Sequence, residues 1–179
     1  MTTSFETTAA TNPKMAPATT HHRVWKLGAD IDTDQLAPGA YMKLGIEGIA
    51  PHCLEGVRPD FAPGVRPGDV IAAGPNFGIG SSREQAAGAL VQLGLKAVIA
   101  PSFSGLFFRN AFNLGLLLLT CREAEALREG EQVALDLQAL TVTTEAGQVL
   151  RCDPIPDFLL DMVRAGGLLN QLRKRLGKD

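Results

Sequence analysis

Asp69-Val70-Ile71-Ala72-Ala73-Gly74-Pro75-Asn76-Phe77-Gly78-Ile79-Gly80-Ser81-Ser82-Arg83-Glu84 passes from an apolar block through a glycine-rich loop into a polar segment. The block 69–73 is short and, after Asp69, continuously apolar, as a buried strand is. Over 82–95, Ala86, Ala89, Leu90 and Leu93 recur at the spacing of an amphipathic helix, and Gly94 supplies its C-terminal stop. Ala97-Val98-Ile99-Ala100 follows at once as a second buried strand. Strand, helix and strand within about 32 residues make a parallel βαβ unit with a right-handed crossover.

Working outward, 104–113 reads as a helix and 116–119 as another buried strand. Residues 132–137 and 140–144 read as strands around a turn, and 149–152 as a further strand after Gly147. A helix over about 156–176, interrupted by Gly166-Gly167, closes the chain. Upstream, Val24-Trp25-Lys26-Leu27 alternates like a half-buried strand. Asp30-Ile31-Asp32-Thr33-Asp34 carries three carboxylates but lacks the glycine and distal glutamate of a calcium loop. It is expected to be a turn or helix start, with Asp or Thr capping free N–H groups. Pro59, Pro63, Pro67, Gly56, Gly64 and Gly68 crowd 55–68, which is expected to be a loop without regular structure. Residues 1–22 are rich in Thr, Ala and Pro and are expected to be a disordered extension, with His21 and His22 exposed at its end. Residues 23–179 then form one α/β domain with an added β-rich section.

Hydrophobic residues make up 45% of the 179 and charged residues 20%, which suits a globular domain with a proper core. A net charge of -2, with scattered basic residues, argues against nucleic acid as a partner. No stretch is apolar enough to cross a membrane, and the N-terminal segment lacks the apolar core of a signal peptide. Cys53, Cys121 and Cys152 are odd in number and widely spaced. They form neither a disulfide framework nor a C-x-x-C metal motif, and a reducing cytoplasm fits them best.

The chemistry concentrates in 74–84. A glycine-rich turn that opens a helix gathers unpaired N–H groups and the positive end of the helix dipole, which together bind anions. Ser81 and Ser82 add hydroxyls, and Arg83 adds a planar fork suited to a carboxylate or phosphate. The pattern is neither a P-loop nor a dinucleotide fingerprint. A plainer possibility is an ordinary turn in which Ser81 caps the helix and Arg83 pairs with Glu84 or Asp69.

Asn76-Phe77-Gly78-Ile79-Gly80-Ser81-Ser82-Arg83-Glu84, with Ala86 beyond it, resembles the small-subunit signature N-[FY]-G-x-G-S-S-R-E-x-A of the aconitase and isopropylmalate isomerase family. Asp32-Thr33-Asp34 with Pro38 is similar to that family's early block. Ala100-Pro101-Ser102-Phe103-Ser104 with the stretch 107–115 is similar to its second block, and Ala165-Gly166-Gly167-Leu168-Leu169 to its C-terminal block. The likeness runs from about 23 to 172, in the family's order. It implies a swivelling β/β/α three-layer domain of the aconitase C-terminal type. It also implies a hydro-lyase that interconverts 2- and 3-isopropylmalate for leucine synthesis. The chain itself would bind no cofactor, and a separate large subunit, in a heterodimer or heterotetramer, would hold a [4Fe–4S] cluster. By the same resemblance, Ser81 is the base that removes a proton beside a carboxylate and Arg83 is the carboxylate clamp. Ser82, Gly80 and Asn76 complete the substrate site. A serine works as a base only as an alkoxide, which needs strong local positive potential.

Two positions depart from the family's usual residues: Ile79 stands where Cys is common and Gln85 where His is common. Ile79 cannot donate a hydrogen bond and Gln85 cannot titrate. Substrate choice in the family resembles a swap in the segment after the early block, here Ala40-Tyr41-Met42-Lys43-Leu44-Gly45. Met42 or Leu44 suits an isopropyl group, whereas Lys43 suits a third carboxylate or is simply a solvated lysine. Two other functions therefore stand beside isopropylmalate isomerisation. One is dehydration of homoaconitate, citraconate or a substituted malate. The other is a non-catalytic anion-binding module.

Overall fold

The computed structural model describes residues 20–177. Strands β1 (His21–Lys26), β2 (Val70–Ala72), β3 (Ala97–Ala100) and β4 (Leu117–Thr120) pair in parallel. Strands β5 (Gln132–Asp136), β6 (Thr141–Thr144) and β7 (Val149–Arg151) are antiparallel, with β5 against β1. One mixed seven-stranded sheet results, in the order β4-β3-β2-β1-β5-β6-β7. The expected βαβ unit is present as β2, a helix over Glu84–Gln92, and β3 in parallel register.

The helices are α1 (Thr33–Leu36), α2 (Gly45–Ile49), α3 (Phe61–Gly64), α4 (Glu84–Gln92), α5 (Gly105–Asn113), α6 (Asp157–Ala165) and α7 (Leu168–Arg175), with a 3-10 turn at Gly39–Leu44. Period-two geometry divides each parallel strand between two cores. Ile71, Val98 and Leu118 face the helices, with Leu90 of α4 and Phe107 and Phe112 of α5. Val70, Ala72, Ala97, Ile99, Leu117 and Leu119 face the other way, against Val133, Val142 and Leu150 of the antiparallel strands. Burial on both faces is why these strands read as continuous apolar runs rather than alternating ones. The three layers are β/β/α.

Two expectations need correction. The strand β1 begins at His21, inside the segment expected to be a disordered extension. His21, His22 and Arg23 pair with Ala134, Val133 and Gln132. His22 is buried, and its Nδ1 donates to the Gly68 carbonyl at 2.7 Å. The partner strand lies more than a hundred residues along the chain, so local composition carried no sign of it. Residues 1–19 of the expected extension lie outside the described residues. In 55–68, α3 forms despite Pro63, because the first helical turn tolerates a residue without an N–H. Phe61 drives it, fully buried edge-on to Trp25 with ring centroids 5.2 Å apart.

Asp69, just before β2, ties this region down. Its Oδ2 accepts from Trp25 Nε1 at 2.8 Å, Arg23 Nη2 at 2.5 Å and the Arg66 N–H at 2.9 Å. At the C-terminus Gly166 ends α6 in the left-handed conformation. Gly167 packs on the end of α5 so closely that a Cβ there would lie 2.7 Å from the Asn113 carbonyl oxygen. The block around 165–169 thus acts as a wedge behind α5.

Candidate active site

The loop 74–84 leaves the C-terminal end of β2 and is clamped from both sides, mostly through main chain. On one side Gly74 donates to Gly28, Asp30 to Pro75, Gly78 to Ile31 at 2.7 Å and Thr33 to Ile79 at 2.8 Å, all backbone bonds. On the other, Phe77 donates to the Ser102 carbonyl at 3.1 Å and Ser104 to the Phe77 carbonyl at 2.9 Å. The Ser102 hydroxyl accepts from the Asn76 N–H at 2.9 Å. Two segments that were quoted separately in sequence, 30–34 and 100–104, are therefore the two jaws of one clamp.

Phe77 plugs the loop into the core, fully buried and edge-on to Phe107 at 5.3 Å and Phe103 at 6.2 Å. Gly78 must be glycine for two reasons. Its φ is +78°, and a Cβ there would fall 2.2 Å from Phe107 Cγ. Beyond it the chain turns outward, so Gly80, Ser81 and Ser82 are exposed.

The three carboxylates of 30–34 have separate tasks. Asp30 Oδ1 accepts from Asn76 Nδ2 at 2.8 Å. Asp32 caps α1 in a reciprocal capping box with Gln35, as the sequence suggested. Asp34 forms an ion pair with Arg83, whose Nη1 also reaches the Ala37 carbonyl at 3.2 Å. Arg83 therefore pairs with neither Glu84 nor Asp69. Ser81 does not cap α4 either: the N-cap is Arg83, and no side chain accepts there. Among the described residues, the N–H groups of Ser82, Arg83, Glu84 and Gln85 have no protein acceptor. Donors at an uncapped helix start, beside a guanidinium and two hydroxyls, form an anion cradle.

Asn76, Gly80, Ser81, Ser82 and Arg83 are thus brought together on one loop. Lys43 is exposed in the neighbouring 3-10 turn and makes no hydrogen bond to that loop among the described residues. Sequence reasoning did not single out Thr33, whose buried hydroxyl accepts the Ser81 N–H at 2.9 Å. Nor did it single out Asp34 as the partner of Arg83, or Asn110, whose Nδ2 holds the Ser82 carbonyl at 3.1 Å. All three lie in the stretches quoted for the resemblance, which was the available signal. Ile79 contributes to the clamp only through its backbone, so the departure there leaves the loop's fastening intact.

Among the described residues no three His, Cys, Asp or Glu side chains converge as metal ligands. Cys53 lies in the helix-side core, whereas Cys121 and Cys152 lie in the other. This donor set does not fit an iron–sulfur cluster. No helix of the described residues is long and apolar enough to cross a membrane.

A parallel sheet carrying an outward anion loop between β2 and α4, with antiparallel strands covering its second face, is the swivel domain of aconitase-like hydro-lyases. Residues 66–124 match the aconitase C-terminal domain. The chain belongs to the family of 3-isopropylmalate dehydratase small subunits. It is 40% identical to the 3-isopropylmalate dehydratase small subunit of Sulfurimonas denitrificans, over 87% of this chain and 95% of that one. It is 41% identical to small subunit 1 of Thermotoga maritima, over 85% and 93%. A crystal structure of 3-isopropylmalate dehydratase from Methanocaldococcus jannaschii superposes with a TM-score of 0.81 at 39% identity, covering 87% of this chain and 94% of that one.

Proposed function

We propose that this chain supplies the swivel half of the active site of a 3-isopropylmalate dehydratase. It would interconvert 2- and 3-isopropylmalate by dehydration and rehydration in the cytoplasm, as part of leucine synthesis. The observation that carries this reading is the outward-facing Ser81-Ser82-Arg83 triplet at the uncapped start of α4, clamped by 28–33 and 102–104. The triplet is one wall of a site whose other wall a large subunit provides, in a heterodimer or heterotetramer. The [4Fe–4S] cluster of such an enzyme would be held by that subunit.

In this mechanism Ser81 Oγ takes the proton from the carbon beside a substrate carboxylate and returns it on rehydration. The guanidinium of Arg83 and the unpaired N–H groups of α4 lower the cost of the alkoxide this requires. Arg83 commits Nη1 to Asp34 and Ala37, leaving the rest of its fork for a substrate carboxylate. Ser82, the Gly80 backbone and Asn76 line the same anion site. Lys43, exposed in the 3-10 turn, would meet a distal carboxylate where the substrate carries one.

A second reading is a substrate with a third carboxylate, such as homoaconitate. It is favoured by Lys43, which is exposed, while Met42 packs against the core. The test is anaerobic reconstitution with the large subunit and a substrate panel followed by enoate absorbance. Turnover of 3-isopropylmalate is expected to lead the panel, and Ser81→Ala is expected to assemble normally but lose turnover. Near-normal turnover in Ser81→Ala would remove Ser81 from the mechanism.

A further inference from the structure

The two edge strands of the sheet, β4 and β7, are joined by one backbone hydrogen bond. The Asp153 N–H, just beyond β7, donates to the carbonyl of Thr120, the last residue of β4, at 2.8 Å. Strand β4 runs parallel to β1, and β5, β6 and β7 alternate in direction from β1, so β7 opposes β4. One step along this antiparallel seam, Cys121 stands opposite Cys152. In such a pairing the Cα atoms beside a hydrogen-bonded pair approach to roughly 4.5 Å, within the span a disulfide accepts. Both thiols are free and share the apolar cluster that holds Leu119 and Leu150. Their backbones are pinned, Cys121 to the Ala100 carbonyl at 2.9 Å and Cys152 to the Leu140 carbonyl at 2.8 Å. Cys121 is buried and Cys152 is partly exposed.

We propose that Cys121 and Cys152 are a redox pair that closes to a reversible disulfide under peroxide, latching the two edges of the sheet together. With the pair singly ionised and its remaining proton on Cys121, Cys152, the sulfur solvent can reach, attacks the O–O bond and becomes a sulfenic acid, and the hydroxide released takes up a proton as water. Cys121 then attacks the Cys152 sulfur and displaces the second oxygen as water. Two thiols and one hydrogen peroxide thus give one disulfide and two waters. The two thiols act on each other: a hydrogen bond from the Cys152 thiol brings Cys121 down to about 7, against burial and the nearby Glu123 and Asp153 carboxylates, and the same bond raises Cys152. The first proton lost is shared between the two sulfurs. Cys53 differs, because burial pushes its thiol up to about 12. The seam lies where the parallel strands end, which is also the end from which the loop 74–84 departs.

The test uses the full chain, oxidised with hydrogen peroxide, its remaining thiols blocked, and its peptides mapped by mass. Cys121 and Cys152 are expected in one linked species lighter by two hydrogens and released by dithiothreitol, with Cys53 blocked only after unfolding. Cys53→Ser is expected to keep the link, and Cys152→Ser and Cys121→Ser each to abolish it. Two thiols that survive peroxide unlinked would overturn the proposal, as would separate sulfinic acids on the two residues or a link only between chains.

Discussion

The Thr33 hydroxyl accepts the backbone N–H of Ser81 at 2.9 Å, across 48 residues of sequence. Thr33 is buried in the first turn of α1, so a rigid element sets the height at which Ser81 leaves the loop. Thr33→Val keeps the volume and removes the acceptor. It is expected to cost about 1–3 kcal/mol in urea denaturation and to lower turnover roughly 10- to 100-fold through misplacement of Ser81. Thr33→Ser is expected to restore most of both.

Asp34 and Arg83 give a different signature. Asp34 is 66% exposed, so its pairing adds little to stability, under about 1 kcal/mol. It orients the guanidinium that the proposed mechanism uses as a clamp. Asp34→Ala is expected to leave the urea midpoint nearly unchanged and to raise KM in the reconstituted enzyme. An unchanged KM would mean that Arg83 needs no such orientation.

Gly78→Ala probes the fastening from beneath. The new Cβ would meet Phe107 in a left-handed backbone conformation, so loop and core cannot both keep their positions. A loss of about 2–4 kcal/mol is expected, together with lost turnover. Gly39→Ala, which has open space around it, is the matched control and is expected to be silent on the urea midpoint.

Asp69 sets an acid limit on the fold. Burial pushes its carboxyl up, but hydrogen bonds from Arg23, the Arg66 N–H and Trp25 outweigh this and hold it below the ordinary aspartate value of 3.8. A group with a lowered folded-state value contributes fully above its unfolded value and loses that contribution as pH falls through the folded one. The contribution of Asp69 is therefore complete at pH 7 and fades below about pH 4. Asp69→Asn is expected to cost about 2–4 kcal/mol at pH 7, and the difference from wild type is expected to shrink towards pH 3 in urea titrations.

Much of this architecture was legible in sequence because its signals are local. Ala97–Ala100 is a strand with the bounds its apolar run suggested, and Gly166-Gly167 divides the last two helices as its glycines suggested. Local signals failed where distant contacts decided. His21 and His22 became strand through β5, and Phe61 made a helix among prolines by packing on Trp25. At the site, the serines, the arginine and the glycines announced an anion cradle. The residues that hold it, Thr33, Asp34 and Asn110, are ordinary in type and bind it from 28 to 49 positions away. Spacing cannot show such contacts, and only their place in recurring family segments hinted at them.

The clamp on 74–84 is made mainly by main-chain atoms, with Phe77 as its anchor and Gly78 as its tight turn. Shape and chemistry are therefore encoded at different positions. Ile79 is fastened through its carbonyl, so the hydrogen bond that holds it does not depend on which side chain stands there. A lineage could retune which acid it handles by altering a few surface residues while the scaffold stays as it is. The loop is, in that sense, a cassette open to evolutionary drift in specificity on a frame that resists it.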